Sequence, residues 1–306
     1  MEAGQRVYLP TLEQWDRLSF QECQNVVDTI VGILPPDFQS VKLETCQMGN
    51  QQRYMAFFEW HSKNESSLFV FIPGGNVTIG YDRTHPFLLT PAQLHNFQQE
   101  TVARGYLSCT LDVFLDRVLT SLRQVIIQPC LLQVHATSSG DIPTKDQRKR
   151  KIHSFILFDE MRDFVHQQGF RLPTSDEWEY ACAAGARTLF RWGNDSPNTY
   201  MHLPDMDEDD VPENEQMELN MPWDIHCRPN GFGLFIATNP YHWELCMDAD
   251  IVLRGGDGGT ALHAGAGMFV EWLTLSTFYQ RRDIHIFKEH GGVHGMFARR
   301  LYPLYI

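Results

Sequence analysis

Seven cysteines, four histidines near the C-terminus, a run of carboxylates and a glycine-rich stretch are the features of this sequence whose chemistry calls for explanation. The cysteines are Cys23, Cys46, Cys109, Cys130, Cys182, Cys227 and Cys246. They are odd in number, scattered and without a CxxC pair. That argues against a zinc knuckle or a dithiol redox motif and for reduced thiols in a cytoplasmic protein. Cys227 and Cys246 read as core or near-surface thiols rather than as a catalytic pair. His263, His285, His290 and His294 could converge on one site, where imidazole would suit iron, zinc or copper. Ordinary surface or hydrogen-bonded histidines are the competing reading. Gly291 and Gly292, between His290 and His294, disfavour a helix there. Asp205, Asp207, Glu208, Asp209, Asp210, Glu213, Glu215 and Glu218 offer the oxygens that calcium takes, without EF-hand spacing. A solvated acidic loop is the alternative. Gly255-Gly256-Asp257-Gly258-Gly259 could cradle an anion through successive N–H groups. It has neither the Gly-Lys-Ser/Thr of a P-loop nor GxGxxG, so a tight structural turn competes. Arg148-Lys149-Arg150-Lys151 reads as a solvated loop before a helix.

Such groups act only if a core holds them. The chain has 306 residues, 43% hydrophobic and 12% aromatic, enough to bury one and to exclude disorder. A net charge of −13 disfavours nucleic-acid partners. No run approaches ~18 apolar residues, so no membrane span is expected. The first residues lack the basic-then-apolar order of a signal peptide. Ser19 and Glu22 form a capping box ahead of apolar positions Cys23, Val26, Val27, Ile30, Val31 and Leu34 at helical spacing, and Pro35-Pro36 ends that helix. Residues 54–60 read as a strand. Leu68–Ile72 and Val77–Tyr81 flank Pro73-Gly74-Gly75-Asn76, which predicts a hairpin. Thr90-Pro91 starts a helix, and residues 111–122 form another. Residues 125–134 read as a strand that Pro129 pushes to an edge or a bulge. A further helix spans about 154–168 and stops at Gly169. Thr174 and Glu177 form a second capping box, opening a short helix closed by Gly185. Trp178 and Tyr180 lie two apart, so one is expected in the core and the other over a loop. From about Phe190 onward Gly, Pro, Asn and Trp dominate, which suggests a loop-rich fold.

The segment Gly169-Phe170-Arg171-Leu172-Pro173-Thr174-Ser175-Asp176-Glu177-Trp178-Glu179-Tyr180-Ala181 resembles the most distinctive motif of the formylglycine-generating enzyme (sulfatase-modifying factor) family. Arg191-Trp192-Gly193-Asn194 follows at the expected spacing. Asn230-Gly231-Phe232-Gly233-Leu234-Phe235 is similar to the family's Asn-x-Phe-Gly-Leu. Asn239 to Asp248 is similar to its Gly-Asn-Val-Trp-Glu-Trp, with Trp243 and Glu244 aligned. Leu253-Arg254-Gly255-Gly256 is similar to its Arg-Gly-Gly-Ser. Phe71 to Gly75 and Ile79 to Asp82 resemble the opening of the domain. The resemblance implies an α+β, loop-rich, C-type-lectin-like domain over 65–306, with a helical insertion at 84–124 and an N-terminal α/β elaboration over 1–64. Beside that resemblance, Arg171, Thr174, Glu177, Trp178, Trp192, Trp243, Glu244 and Arg254 read as residues that hold loops together rather than do chemistry.

The family's oxidase chemistry uses two cysteines after Arg-Gly-Gly that bind copper(I), and the family often holds structural calcium. No cysteine follows Cys246 here. A second branch, the iron-dependent sulfoxide synthases of ergothioneine biosynthesis, carries His-x3-His-x-Glu on an added helical bundle. That motif is absent from residues 1–125. The same fold also serves variable ligand-binding proteins diversified by retroelements. The expectation is therefore a divergent member that binds a peptide, protein or small ligand, without nucleic-acid or membrane partners. Its predicted groove is lined by Asp257, His263, Trp272, Tyr279, Arg281 and His294. The alternative is an oxygenase whose iron or copper is held by His263, His285, His290 and His294.

Overall fold

The computed structural model describes residues 8–63, 65–142, 158–201, 225–281 and 295–304. Its frame is a five-stranded antiparallel sheet. In spatial order the strands are β1 (Phe38–Met48), β2 (Gln51–His61), β3 (Ser66–Ile72), β6 (Cys130–Gln133) and β11 (Leu301–Pro303). The middle strands are nearly continuous in apolar residues, and the two-residue side-chain period divides them between two cores. Ala56, Phe58 and Trp60 of β2, Phe69 and Phe71 of β3 and Leu131 of β6 enter one cluster. Met55, Phe57, Val70, Ile72, Cys130 and Leu132 enter the other.

Helices cover both faces. Phe20–Ile33, capped by the predicted Ser19–Glu22 box, lays Cys23, Val27 and Ile30 on the first cluster. Phe158–Gln167 adds Phe158, Met161 and Val165. Ser175–Ala183, capped by the Thr174–Glu177 box, covers the second face. Trp178 and Tyr180 are both buried, at 0% and 2% exposure. The expected split between core and loop fails because every residue of this short helix from Trp178 to Ala183 is buried. Tyr180 donates its hydroxyl to the Pro73 carbonyl at 2.8 Å, and Trp178 donates its indole N–H to Glu244 at 3.0 Å.

Two local expectations are overturned. The strands flanking Pro73-Gly74 do not pair with each other. β3 lies between β2 and β6, whereas β4 (Gly75–Ile79) pairs with β5 (Arg123–Ile127) in a separate ribbon. Pro129 does not mark an edge; it separates β5 from β6, and β6 has partners on both sides. The segment before residue 65 supplies two strands to the same sheet as β3.

A second sheet orders β7 (Thr137–Ser138), β10 (Met296–Ala298), β8 (Trp243–Met247) and β9 (Ile251–Arg254), with β10 and β8 parallel. The segment 84–124 is helical in part. Pro91–Asn96 runs on as a π-helical turn, Phe97–Val102, and Leu111–Val118 follows. Its Phe97, Phe114, Leu115 and Leu119 share a third core cluster with Ala261, Ala266, Phe269, Trp272 and Leu273. That packing brings the insertion against the C-terminal loops. Among the described residues no helix is long and apolar enough to cross a membrane.

Candidate ligand-binding site

The glycine-rich stretch after Arg254 is fixed through its own backbone. The N–H groups of Asp257 and Gly259 donate to the Pro240 carbonyl at 3.0 and 3.2 Å. A Cβ on Gly256 would stand 2.4 Å from that oxygen, and one on Gly259 would stand 2.0 Å from the Tyr241 ring. Both glycines also sit at positive φ, 124° and 76°. Two of its donors are thus committed to Pro240 rather than turned to an anion, which favours the structural-turn reading.

The turn delivers Asp257 into the protein, 4% exposed. Its Oδ2 accepts the Ala261 N–H at 2.9 Å, while its Oδ1 is buried without a hydrogen-bond partner. Arg281 reaches back over it, donating to the Asp257 carbonyl at 2.9 Å and to the Thr260 hydroxyl at 2.8 Å. Burial lifts the Asp257 carboxyl above its ordinary range, opposed by the Ala261 N–H and by Arg281.

A second acid joins from the helix Met268–Leu273. Glu271 is 3% exposed. Burial, then the charges of Glu100 and Asp257, push it up to about 7. Glu100 belongs to the π-helical turn of the insertion, where its Oε2 accepts the Met268 N–H at 2.9 Å. Beside it, the Thr101 hydroxyl donates to the Ala266 carbonyl at 2.6 Å. The insertion thus clamps the start of the helix that carries Glu271. Two half-buried tyrosines, Tyr106 and Tyr241, complete the group. Burial, then the charge of Asp257, raises both phenols. Six polar side chains from three stretches of chain therefore act on one another: Glu100, Tyr106, Tyr241, Asp257, Glu271 and Arg281.

Of the residues expected to line a groove, Asp257 and Arg281 come together here. His263 ends the short helix Thr260–His263 and is exposed, its ring 5.4 Å from that of Tyr241. Trp272 and Tyr279 do not line a surface; both pack in the third core cluster. Trp272 is fully buried, with its indole N–H donated to the Thr199 carbonyl at 2.8 Å, and Tyr279 is 8% exposed. The run Phe269-Val270-Glu271-Trp272-Leu273 is too apolar to leave its tryptophan in water. His285, His290 and His294, the acidic loop 205–218 and the basic run 148–151 lie outside the described residues. Among the described residues, no three His, Cys, Asp or Glu side chains are grouped as a metal ion would require. Cys246 is fully buried on β8, where burial holds its thiol well above the ordinary range.

The motif residues make structural contacts of their own. Arg171 makes two bonds to Glu177, at 2.7 and 2.6 Å. Glu244 takes both the Trp178 indole and a two-pronged contact from Arg299, at 2.8 and 2.7 Å. Arg254, fully buried, lies 5.0 Å from the Trp178 ring and pairs with Glu179 at 2.9 Å. Trp192 stacks on Phe190 at 4.8 Å, and the Trp243 ring packs where a side chain on Gly258 would stand, 2.8 Å away. Sequence patterning had no means of finding Glu100, Tyr106 or Tyr241. Glu271 did leave a signal, an acid inside an apolar run.

Glu271 should make stability depend on pH. Its folded-state pKa of about 7 lies above the ordinary 4.5, so between those values the native state holds a proton that the unfolded chain has released. Its contribution is fully present below pH 4.5 and is lost as pH rises through about 7. Glu271→Gln should remove that dependence. Between pH 5 and pH 8 the wild type should lose on the order of 1–3 kcal/mol more than the variant, read from denaturant midpoints. Parallel pH profiles would show that Glu271 titrates normally.

Residues 56–260 match the family model of the sulfatase-modifying factor enzyme 1-like domain. Formylglycine-generating enzyme of Bos taurus is similar over a shorter stretch, 36% identical over 81 residues, covering 24% of this chain and 21% of that enzyme. The match to this relative thus spans about a fifth of its length. The family match takes in Glu100, Tyr106, Tyr241 and Asp257, whereas Glu271 and Arg281 lie beyond its end. By that match, which covers more than half of its length, the chain belongs to the sulfatase-modifying factor (FGE-sulfatase) family.

Proposed function

We propose that this family member binds a ligand carrying an ammonium or guanidinium group, such as a basic peptide or a small amine, and does not oxidise a cysteine. The observation that carries the reading is the charge balance of the cluster. Among the described residues of the cluster, the charges of Glu100 and Asp257 act on Glu271, Arg281 is the guanidinium that acts on Asp257, and one buried Asp257 oxygen has no hydrogen-bond partner. A bound cation would supply the missing donor and favour the ionised form of Glu271. Copper does not fit the residues present in the manner that the family resemblance implies, because two thiolates are needed after Arg254 and no cysteine lies between Arg254 and Ile306. The histidine-held metal reading has no supporting observation among the described residues.

Two measurements test this. Copper-loaded protein incubated with a Cys-x-Pro-x-Arg peptide should yield no formylglycine by mass spectrometry; turnover above a boiled control sinks the non-oxidase reading. Titration calorimetry with lysine- and arginine-containing peptides should show binding that releases protons near pH 7. Asp257→Asn should weaken that binding by about tenfold or more, the loss of one charge-assisted bond. Binding indifferent to Asp257→Asn would remove the cluster as the site.

A further inference from the structure

Arg191 is a buried charge with no carboxylate partner among the described residues. Three other arginines are fully buried, and each has a carboxylate: Arg254 with Glu179, Arg299 with Glu244 and Arg300 with Glu65. Arg191 is 2% exposed and has none among the described residues. Its Nη1 donates to the Ala237 carbonyl at 3.0 Å, its Nη2 donates to the His226 carbonyl, and its Nε is buried with no hydrogen-bond partner. The Trp192 ring 4.9 Å away is a weak counterpart. Leaving a guanidinium buried and unneutralised is costly, so the ionisable groups nearest to it matter.

The charges of two thiols, Cys182 and Cys227, act on it, and the His226 carbonyl that Arg191 holds is that of the residue before Cys227. Cys182 is fully buried on the helix Ser175–Ala183, and burial pushes its thiol up to about 12, which keeps it neutral. Cys227 is half-buried and therefore reachable from solvent. Its Sγ lies 3.4 Å from Nε2 of His226. His226 is buried, with its ring edge-on to Trp272 at 5.2 Å, so the imidazole is held in place. A thiol with an imidazole in contact and the Arg191 guanidinium bound to the adjoining His226 carbonyl is the environment that favours thiolate.

We infer that Cys227, flanked by His226 and Arg191, is a reactive-thiol site that undergoes exchange with low-molecular-weight disulfides. In that exchange the Cys227 thiolate attacks one sulfur of the disulfide. The new S–S bond forms as the old one breaks, and the departing thiolate takes a proton from solvent. The product is a mixed disulfide that removes the negative charge beside Arg191. This site stands on observations separate from those behind the proposed cation site.

The other cysteines supply the controls. Cys109 is also half-buried, whereas Cys23, Cys46, Cys130, Cys182 and Cys246 are buried. Native protein treated with iodoacetamide, then digested and read by mass spectrometry, should show Cys227 modified about tenfold faster than Cys109 at pH 6.5–7. The rate should reach half its maximum below the ordinary thiol value of about 8.5. Glutathione disulfide should form the mixed disulfide at Cys227 first. Arg191→Lys should keep the low midpoint, and Arg191→Met should raise it. Labelling of the five buried cysteines reports whether a variant has unfolded; if Arg191→Met has, the wild-type profile and Arg191→Lys decide. A Cys227 rate equal to that of Cys109 across pH 6–9, or an ordinary midpoint, overturns the proposal.

Discussion

Trp178→Ala is expected to destabilise the protein by roughly 3–5 kcal/mol, the cost of emptying a fully buried tryptophan site. The ring is 0% exposed and packs in the second core cluster. Three further features make the site hard to collapse. The indole N–H is the third donor to Glu244, which also holds Arg299. The Arg254 guanidinium stacks 5.0 Å from the ring. The backbone of Gly255 approaches so closely that a Cβ there would stand 3.0 Å from the ring. Thr174→Ala, four positions earlier, sets the scale. It removes one capping bond, Glu177 N–H to Thr174 Oγ1 at 3.1 Å, and should cost on the order of 1 kcal/mol. Denaturant midpoints of the two variants, at unchanged slope, give the comparison. Equal and negligible shifts would mean that this motif does not hold the fold.

What the sequence disclosed follows the range of the interactions involved. Capping boxes at Ser19 and Thr174 are three-residue devices, so both helix starts were readable and both are present. Pairing of β3 is not local. Pro73-Gly74-Gly75 has the composition of a hairpin turn, yet the partners of β3 are β2 and β6, the latter some sixty residues on. β1 and β2 join the sheet of the family domain, which no composition shift near residue 64 announces. The candidate site divides in the same way. Asp257 and Arg281 both fall in the segment that follows the Arg-Gly-Gly turn, where the sequence predicts a groove. Glu100 and Tyr106 reach them from more than 150 residues away through the packing of an insertion, and only three-dimensional packing reveals that. The aromatic ring of Trp272 suggests a member of the groove, but its apolar neighbours bury it.

Glu179→Gln should cost about 3–5 kcal/mol, the range for leaving a buried charge without its partner. Glu179 and Arg254 are both 0% exposed and 2.9 Å apart. Arg254 has little else: its Nη2 also donates to the Thr277 carbonyl at 3.2 Å, while Nε and Nη1 are buried without partners. Glu179 meanwhile accepts from the Thr120 hydroxyl at 2.7 Å and from Arg123 at 3.1 Å. The carboxylate therefore joins the capped helix, the end of the insertion and the strand that leads into the Asp257 turn. The glutamine keeps the volume and loses the charge, so the effect isolates electrostatics from packing. Asp176→Asn is the matched control. Asp176 also pairs with Arg123, at 2.5 Å, but its side chain is 40% exposed, and water compensates for most of its loss. Its cost should stay below about 1 kcal/mol. Replacing Glu179 and Arg254 together by methionine should recover much of the deficit, because the buried charge then disappears with its partner. If Glu179→Gln proves as mild as Asp176→Asn, the pair does not hold the turn, and the placement of Asp257 must rest on the local bonds to Pro240, Ala261 and Arg281.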